Sequence, residues 1–539
     1  MKSRSRTYLL TVLGIAASAI ALVVPLTSAA ADTVKPPGFE YFHTYAENEQ
    51  IIDDAVAAHP TIAMKFSIGR SYEGREIWGI KISDNVATDE NEPEVFIHGL
   101  THARERASNE MALYLIQLLT DNYATDSRIK AIVDSREIWI VPMLNPDGAE
   151  FDMQGGHWHN WRKNRQPIPG STEIGVDLNR NWGYHWGGGS GKGTDGSTNP
   201  ASDYYRGWAP EVAPEVQDYE RFEAGRVVNG RQQIVASIGF HSAAREVLWP
   251  YSYTRTDVPA DMSADDHAAF VALGDRVAAL NGYKPQQGSD LYPVYGDQDD
   301  WAYHTYRIFG YTFEMKKGAT HRYYPSKSEL DADIQANVPA VLTFLEYADC
   351  PYRAAGLNQD CGPLYDDFET ARGWQVNPTG GDTATAGQWQ IAQPTKTSNA
   401  AGVKQKPTTT SGLADLVTGA AAGSSVMGND VDGGVTSVRS PAFTLGGNGS
   451  TGWRLTFNYT FAHNKKATSA DYLRVSVSGH VVFEQDGFAG NRNAVWTPVS
   501  VNLDAYAGQT VRVLIQAADG AGDSLVEAAV DDVRVYQQP

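Results

Sequence analysis

His102 and Glu105 stand three residues apart in Gly99-Leu-Thr-His-Ala-Arg-Glu105. The run Val95-Phe-Ile-His-Gly-Leu100 before them predicts a buried strand, and Asn109 to Leu119 after them predicts a helix. The pair therefore falls on a strand-to-helix turn at a strand's carboxyl end, where open α/β sheets build their sites. An imidazole and a carboxylate at this spacing can reach one cation. A catalytic zinc takes three protein ligands, often two close in sequence and one distant, and keeps a fourth position for water. The distant candidate is His241 in Phe240-His-Ser242, which also follows a predicted strand directly. His157 and His159 are a competing pair, since residues i and i+2 share one face of a strand. No third ligand is placed beside them.

The elements that must hold these groups alternate along the chain. Ile51, Ile52, Val56 and Ala57 recur at helical spacing before Pro60, and residues 268–280 and 329–347 predict two more helices. Strands are expected at 65–69, 76–82, 137–141, 234–240 and 311–314. Such alternation predicts an α/β fold with a mixed, largely parallel sheet covered by helices on both faces. Gly187 to Gly193 is rich in glycine but is no phosphate cradle, because Trp186 stands at the first Gly position and Gly193 follows Lys192. A flexible surface loop is expected there, and Asn145-Pro-Asp-Gly148 reads as a turn without chemistry.

At 539 residues the chain is long enough for two or three domains. Lys2, Arg4 and Arg6, the apolar stretch Tyr8 to Leu26 and Ser28-Ala-Ala-Ala31 predict a secretory signal peptide at 1–31. A membrane anchor is the alternative, but no later segment approaches the ~20 apolar residues of a spanning helix, so secretion is expected. The net charge of −20 lacks the basic footprint of a nucleic-acid binder. In an oxidising compartment Cys350 and Cys361 should form a disulfide within a linker at 350–362, which ends a catalytic domain at 32–349. Beyond it, Leu455-x-Phe457-x-Tyr459-x-Phe461, Leu473-x-Val475-x-Val477 and Val511-x-Val513-x-Ile515 alternate with period two, which predicts an all-β sandwich at 363–539. It resembles the jelly-roll modules appended to many secreted bacterial hydrolases. Asp430/Asp432 and Asp531/Asp532 could hold a structural Ca²⁺, or could be ordinary turn and surface aspartates.

The first ~350 residues resemble the zinc metallocarboxypeptidases of the carboxypeptidase A/B type, with His-x-x-Glu, the remote His and further motifs in the same order. The resemblance implies one catalytic Zn²⁺ on His102, Glu105 and His241, and cleavage of the C-terminal bond of peptides or proteins. Trp161-Arg-Lys-Asn-Arg165 is similar to the family's arginine motif, in which Arg162 would polarise the scissile carbonyl. Gly175-Val-Asp-Leu-Asn-Arg-Asn-Trp182 is similar to its carboxylate motif. There Asn179 and Arg180 would grip the substrate's terminal carboxylate, and Asp177 would orient His102. Glu314, in Tyr311-Thr-Phe-Glu314, would be the general base, and Tyr292 the mobile tyrosine that caps the substrate. Asp299 and Ser252 fall where basic-specific members carry Asp and a small polar residue, which implies release of Lys and Arg, with Leu248 nearby leaving room for apolar residues. Two departures stand out. Ala243 replaces the aromatic residue usual after His-Ser, and only some ten residues separate Asp32 from the first helix, too few for an inhibitory pro-segment. The alternatives are a cell-wall peptidase on the same scaffold and an inactive binding or adhesion protein; the partner of the sandwich is unknown.

Overall fold

The computed structural model describes residues 35–538 apart from 91, 229, 422–425, 448–450, 521 and 523. The expected signal peptide at 1–31 lies outside the described residues. Eight strands form the first sheet: β1 (Ala63–Arg70), β2 (Glu76–Ile82), β3 (Glu94–His98), β4 (Glu137–Val141), β5 (Ile234–Ser242), β6 (Glu246–Trp249), β7 (Lys284–Gln287) and β8 (Phe309–Met315). Their order is β1-β2-β4-β3-β5-β8-β6-β7. The centre, β4-β3-β5-β8, is parallel throughout, and the antiparallel pairings lie outside it. Parallel strands covered on both faces are expected to be apolar on both. Accordingly Val95, Ile97, Ile138, Ile140, Ile238 and Phe240 enter one core, while Phe96, Trp139 and Val141 enter the other.

The first core is covered by α1 (Tyr45–Ala58), α2 (Arg106–Asp121), α3 (Ser127–Val133), α6 (Ala264–Asn281) and α8 (Lys327–Tyr347). Met111, Leu115, Ile116 and Leu119 form the buried stripe of α2, each worth ~1.5–3 kcal/mol of transfer. Thr44 with Glu47 and Ser326 with Glu329 make capping boxes that start α1 and α8. The other core is closed by α5 (Pro214–Gly225) and α7 (Gln298–Tyr306), neither of which the sequence pattern announced. Asn145-Pro-Asp-Gly148 is also more than a turn. It opens α4 (Pro146–Asp152), with the Asn145 side chain accepting from Gly148 N.

The chain then runs through the Cys350–Cys361 disulfide into two antiparallel sheets. One contains Trp389–Ala392, Asp415–Thr418, Val526–Gln537, Trp453–His463 and Thr497–Asn502, and the other Gln375–Val376, Gly434–Arg439, Val513–Asp519, Tyr472–Val477 and His480–Asp486. Leu455, Phe457, Tyr459 and Phe461 face the shared core with Leu473, Val475, Val477, Val513 and Ile515. The acidic pairs serve the sandwich as acceptors: Asp430 Oδ2 takes Val526 N at 3.2 Å, and Asp531 Oδ2 takes Thr410 N and Oγ1, each at 2.7 Å. Among the described residues neither pair joins a third His, Cys, Asp or Glu in a converging group, so Ca²⁺ finds no support there. Arg307 and Glu369, 3.5 Å apart, and Arg534 and Asp265, 3.5 Å apart, pair residues of the two units.

The turn that carries His102 is tightly fitted. A Cβ on Gly99 would lie 2.6 Å from Ser108 O in the first turn of α2 and 2.9 Å from Pro142 O. Both neighbours are backbone and cannot step aside. Gly99→Ala is expected to cost ~1–3 kcal/mol or more by overpacking, read as a lowered melting temperature.

Candidate active site

Three parallel strands deliver the central groups to one edge of the sheet. His102 and Glu105 follow β3, His241 lies near the end of β5, and Glu314 is its register partner on β8. Glu105 is the N-cap of α2 but makes no side-chain capping bond, so its carboxylate is free to turn toward the histidines. Ser108 stitches the turn, its Oγ donating to Glu105 O at 2.6 Å and accepting from Leu100 N at 2.9 Å.

His102 Nδ1 lies 3.0 Å from Glu105 Oε1, and His241 Nδ1 lies 3.1 Å from His102 Nδ1 and 3.0 Å from Glu105 Oε2. All three residues are buried. His102 Nε2 is 3.1 Å from Asp177 Oδ1, which assigns the ring proton to Nε2 and leaves the Nδ1 lone pair facing the other two groups. Atoms bound to a tetrahedral zinc at ~2.0–2.2 Å lie about 3.3 Å from one another, close to the separations here. The donor set thus fits a divalent ion of the zinc kind. His157 and His159 stay a pair, with ring nitrogens 3.3 Å and 3.0 Å from the carbonyls of Gly155 and Gln154 and no third ligand.

Arg162 stands beside this set, with Nε 2.9 Å from Asp177 Oδ2 and Nη1 3.5 Å from Glu105 Oε1. Asp177 is buried; desolvation opposes its charge, but Arg162 and His102 hold its carboxyl far below the ordinary value. Before these groups opens a cleft of about 510 Å³, counting its mouth, lined by Asn179, Arg180, Tyr292, Ser252, Asp299 and Glu314 as well as His102, Arg162 and His241. Arg180 Nε donates at 2.8 Å to the carbonyl of Thr194, the residue that follows the glycine-rich surface loop, and this aims the guanidinium. Asn145 likewise has a role that composition hid. Its Nδ2 donates to Thr101 O at 3.1 Å and Lys163 O at 3.2 Å, tying the His102 turn to the Arg162 segment.

Burial in the cleft and the charge of Glu105 push the Glu314 carboxyl up to about 7, and burial raises the Tyr292 phenol so that it stays protonated beside Arg180, Arg162 and Glu314. At the far end, Asp300 accepts from Ser252 N at 2.7 Å and Tyr253 N at 3.0 Å, whereas Asp299 accepts from the Thr312 hydroxyl at 2.8 Å and has no cationic partner. Tyr204, which the sequence reading passed over, lays its ring 5.0 Å from the Arg162 guanidinium and 5.8 Å from that of Arg180.

A buried His/Glu/His set that could hold one metal ion opens on a cleft with the Glu314 carboxylate and two guanidiniums beside it. The chain belongs to the zinc carboxypeptidase family (peptidase M14), which matches residues 48–340, and it is a metallocarboxypeptidase. It is 43% identical over 322 residues to a zinc carboxypeptidase of Saccharothrix mutabilis subsp. capreolus, spanning 60% of this chain and 73% of that one. It is 32% identical over 322 residues to carboxypeptidase A1 of Sus scrofa, spanning 59% and 72%. A crystal structure of thrombin activatable fibrinolysis inhibitor, at 25% identity, superposes over 57% of this chain and 74% of that one with a TM-score of 0.51. Membership implies a catalytic zinc.

Replacing His241 by Ala should abolish zinc retention, measured by metal analysis after dialysis. Asp177→Asn leaves the ligands in place but withdraws the anion behind His102. Zinc affinity, read by chelator competition, should then fall about 10- to 100-fold.

Proposed function

We propose that the protein is a secreted carboxypeptidase that removes C-terminal Lys and Arg, with apolar residues as slower substrates, and that the catalytic unit spans 32–349, the linker 350–362 and an accessory sandwich 363–539. The observation that carries the substrate reading is Asp299: a buried carboxylate in the cleft with one hydroxyl partner and no cation. A carboxylate so placed is costly to ionise alone and is matched by a cationic guest. Leu248 and Val294 line the same cleft and would accept the stem of Lys or Arg, or a whole apolar side chain. Among the described residues no helix is long and apolar enough to cross a membrane. Secretion rests on the leader pattern in the sequence.

In this reading His102, Glu105 and His241 hold the zinc, which when bound supplies a Lewis acid for the scissile carbonyl and lowers the pKa of water. Arg180 receives the terminal carboxylate: its Nε–H is fixed by Thr194 O and one Nη1–H by Asn179 O, so the second Nη1–H and the Nη2 hydrogens are left for the guest. Arg162 is aimed by Asp177 at the developing oxyanion, where one such donor is worth ~3–4 kcal/mol. Glu314 accepts a proton from the attacking water and returns it to the leaving nitrogen, a task suited to a carboxyl poised near neutrality. Tyr292, kept protonated, donates a hydrogen bond and closes the cleft over the substrate.

Glu314→Gln retains the shape and cannot take the proton. Turnover on blocked dipeptides should drop by ~10²–10⁴ with zinc still bound; near-normal turnover would require another base.

Asp299→Ala should lower kcat/KM for Arg and Lys substrates by about 30-fold or more, the low end of the ~2–5 kcal/mol for losing one partner of a buried charge pair, while sparing Phe. Burial, reinforced by Asp297, pushes the Asp299 carboxyl up to about 8 against the Thr312 hydroxyl. Below that value the group is neutral and attracts a cation weakly; above it the group is anionic. The Arg-to-Phe ratio of kcat/KM should therefore rise with pH through about 8 in the native enzyme and stay flat in Asp299→Ala. Equal loss of both activities in the variant would overturn the basic-pocket reading.

A further inference from the structure

Asp297 lies between the two parts of the cleft that grip the substrate, and it touches both. Its Oδ1 accepts from the backbone N–H of Asp299 at 3.1 Å and of Asp300 at 3.3 Å, which caps α7. Its Oδ2 accepts from Asn179 Nδ2 at 3.1 Å, and Asn179 Oδ1 accepts in return from Gln298 N at 3.0 Å. Asn179 N in turn donates to Asp177 Oδ1 at 3.1 Å. The start of α7 is also held from below, because Gln298 Nε2 meets Tyr219 Oη and His98 Nε2, each at 2.6 Å.

Asp297 is thus a poor floor for the side-chain pocket despite its charge. Both its oxygens are committed to N–H donors within the protein, whereas Asp299 keeps capacity for a guest. We propose that Asp297 is a positioning residue that fixes the carboxylate-binding segment at Asn179 and Arg180 to the helix carrying Asp299, and so sets the spacing between the two ends of the bound residue. The proposal rests on the cleft reading given under the proposed function. It also gives Asp297 an electrostatic hold on its neighbour. The charged or titratable groups facing Asp297 are Arg180, His241, Asp299 and Asp300. Those facing Asp299 are Asp297, Asp300, Tyr219 and Glu223, with the Thr312 hydroxyl. Burial pushes Asp300, Glu223 and Tyr219 well up, toward their neutral forms, and raises Asp297 as well, against the pull of Arg180. Asp297 is the neighbouring charge that adds most to burial in raising Asp299.

The test uses the full chain with Asp297→Asn and, separately, Asp297→Ser. Either residue can still cap a helix, but Asn opposes a donor to Asn179 Nδ2 and Ser is too short to reach it. KM and kcat are measured from pH 6 to 9 on blocked dipeptides ending in Arg and in Phe, together with zinc content and melting temperature. Both variants should raise KM for both substrates about tenfold, as expected for losing one hydrogen bond to a charged group, with kcat nearly unchanged. The pH midpoint of the Arg-to-Phe ratio should fall by about one unit, because a like charge beside Asp299 is gone. Asn179→Ala combined with Asp297→Asn should raise KM no further than Asn179→Ala alone. Unchanged KM and midpoint in a folded, zinc-loaded variant, or a lowered melting temperature as the sole effect, overturns the proposal. So does full additivity of the double variant. Native enzyme that releases Phe but ignores Arg would refute the basic pocket instead. The Phe KM then decides alone: a tenfold rise upholds the link to Asn179 and an unchanged value overturns it. Native enzyme that releases neither residue refutes the cleft reading itself.

Discussion

Two buried carboxylates, Glu105 and Asp177, must stay ionised for the site to exist, and the surrounding fold is arranged around that requirement. Desolvation opposes both charges. Glu105 accepts from the backbone N–H of Ser242 at 3.2 Å and faces His102 and His241 across the space a cation would fill, and Asp177 is held by Arg162 and the Nε2–H of His102. His102 is local to Glu105 and Ser242 to His241, but the two pairs lie far apart in sequence. They meet because β3, β5 and β8 run parallel and in register, with Glu314 opposite His241 and His98 opposite Gly239. A one-residue slip would turn every side chain of the strand to the other face and carry His241 away from Glu105. Apolar residues on both faces of these strands hold the register, so the packing of Ile97, Ile238 and Phe313 is also what places the charges.

Much of this was legible in the sequence because it is written in local, strongly periodic patterns. The runs around Val95, Trp139, Ile238 and Phe313 predicted the central strands, and the stripes of α2, α6 and α8 predicted the helices that cover them. The sandwich strand through Leu455, Phe457, Tyr459 and Phe461 buries the alternate residues its pattern indicated. The candidate ligands were legible for a different reason. His102 and Glu105 occupy one strand-end turn and His241 the end of another strand, and strand ends are where such sheets gather side chains.

What escaped the sequence reading is structure built on polar residues. Gln298-Asp-Asp-Trp-Ala-Tyr-His-Thr-Tyr306 looks like an acidic loop, yet it is α7, with Asp297, Asp299 and Asp300 all buried. The signal was present in Asp297 as an N-cap with two acids in the first turn, but buried acids have no apolar period to betray them. The same holds for the segment around Gly187 to Gly193. Its glycines let it pass close to Tyr295, where a Cβ at Gly188 would come within 2.2 Å of the ring, and the segment goes on to present Thr194 O to Arg180. Composition reports flexibility there; the contacts that remove it come from residues far along the chain.

The cleft must also keep two like charges close together. Arg162 and Arg180 both line it, and each is neutralised from behind by different means: Arg162 by the Asp177 carboxylate, Arg180 by the carbonyls of Asn179 and Thr194. Tyr204 adds the negative face of its ring to both, a contribution of ~0.5–2 kcal/mol for a cation over an aromatic. At the opposite end Asp299 has no such support and is opposed by Asp297. The cleft is therefore polarised along its length, satisfied and positive where a terminal carboxylate would sit, unsatisfied and potentially negative where a side chain would end. On the proposed reading, a C-terminal Lys or Arg residue carries the complementary pair of charges about one side chain apart. The field that this arrangement creates favours that guest in one orientation and opposes its reversal, which is how a single cleft distinguishes the end of a peptide from its middle.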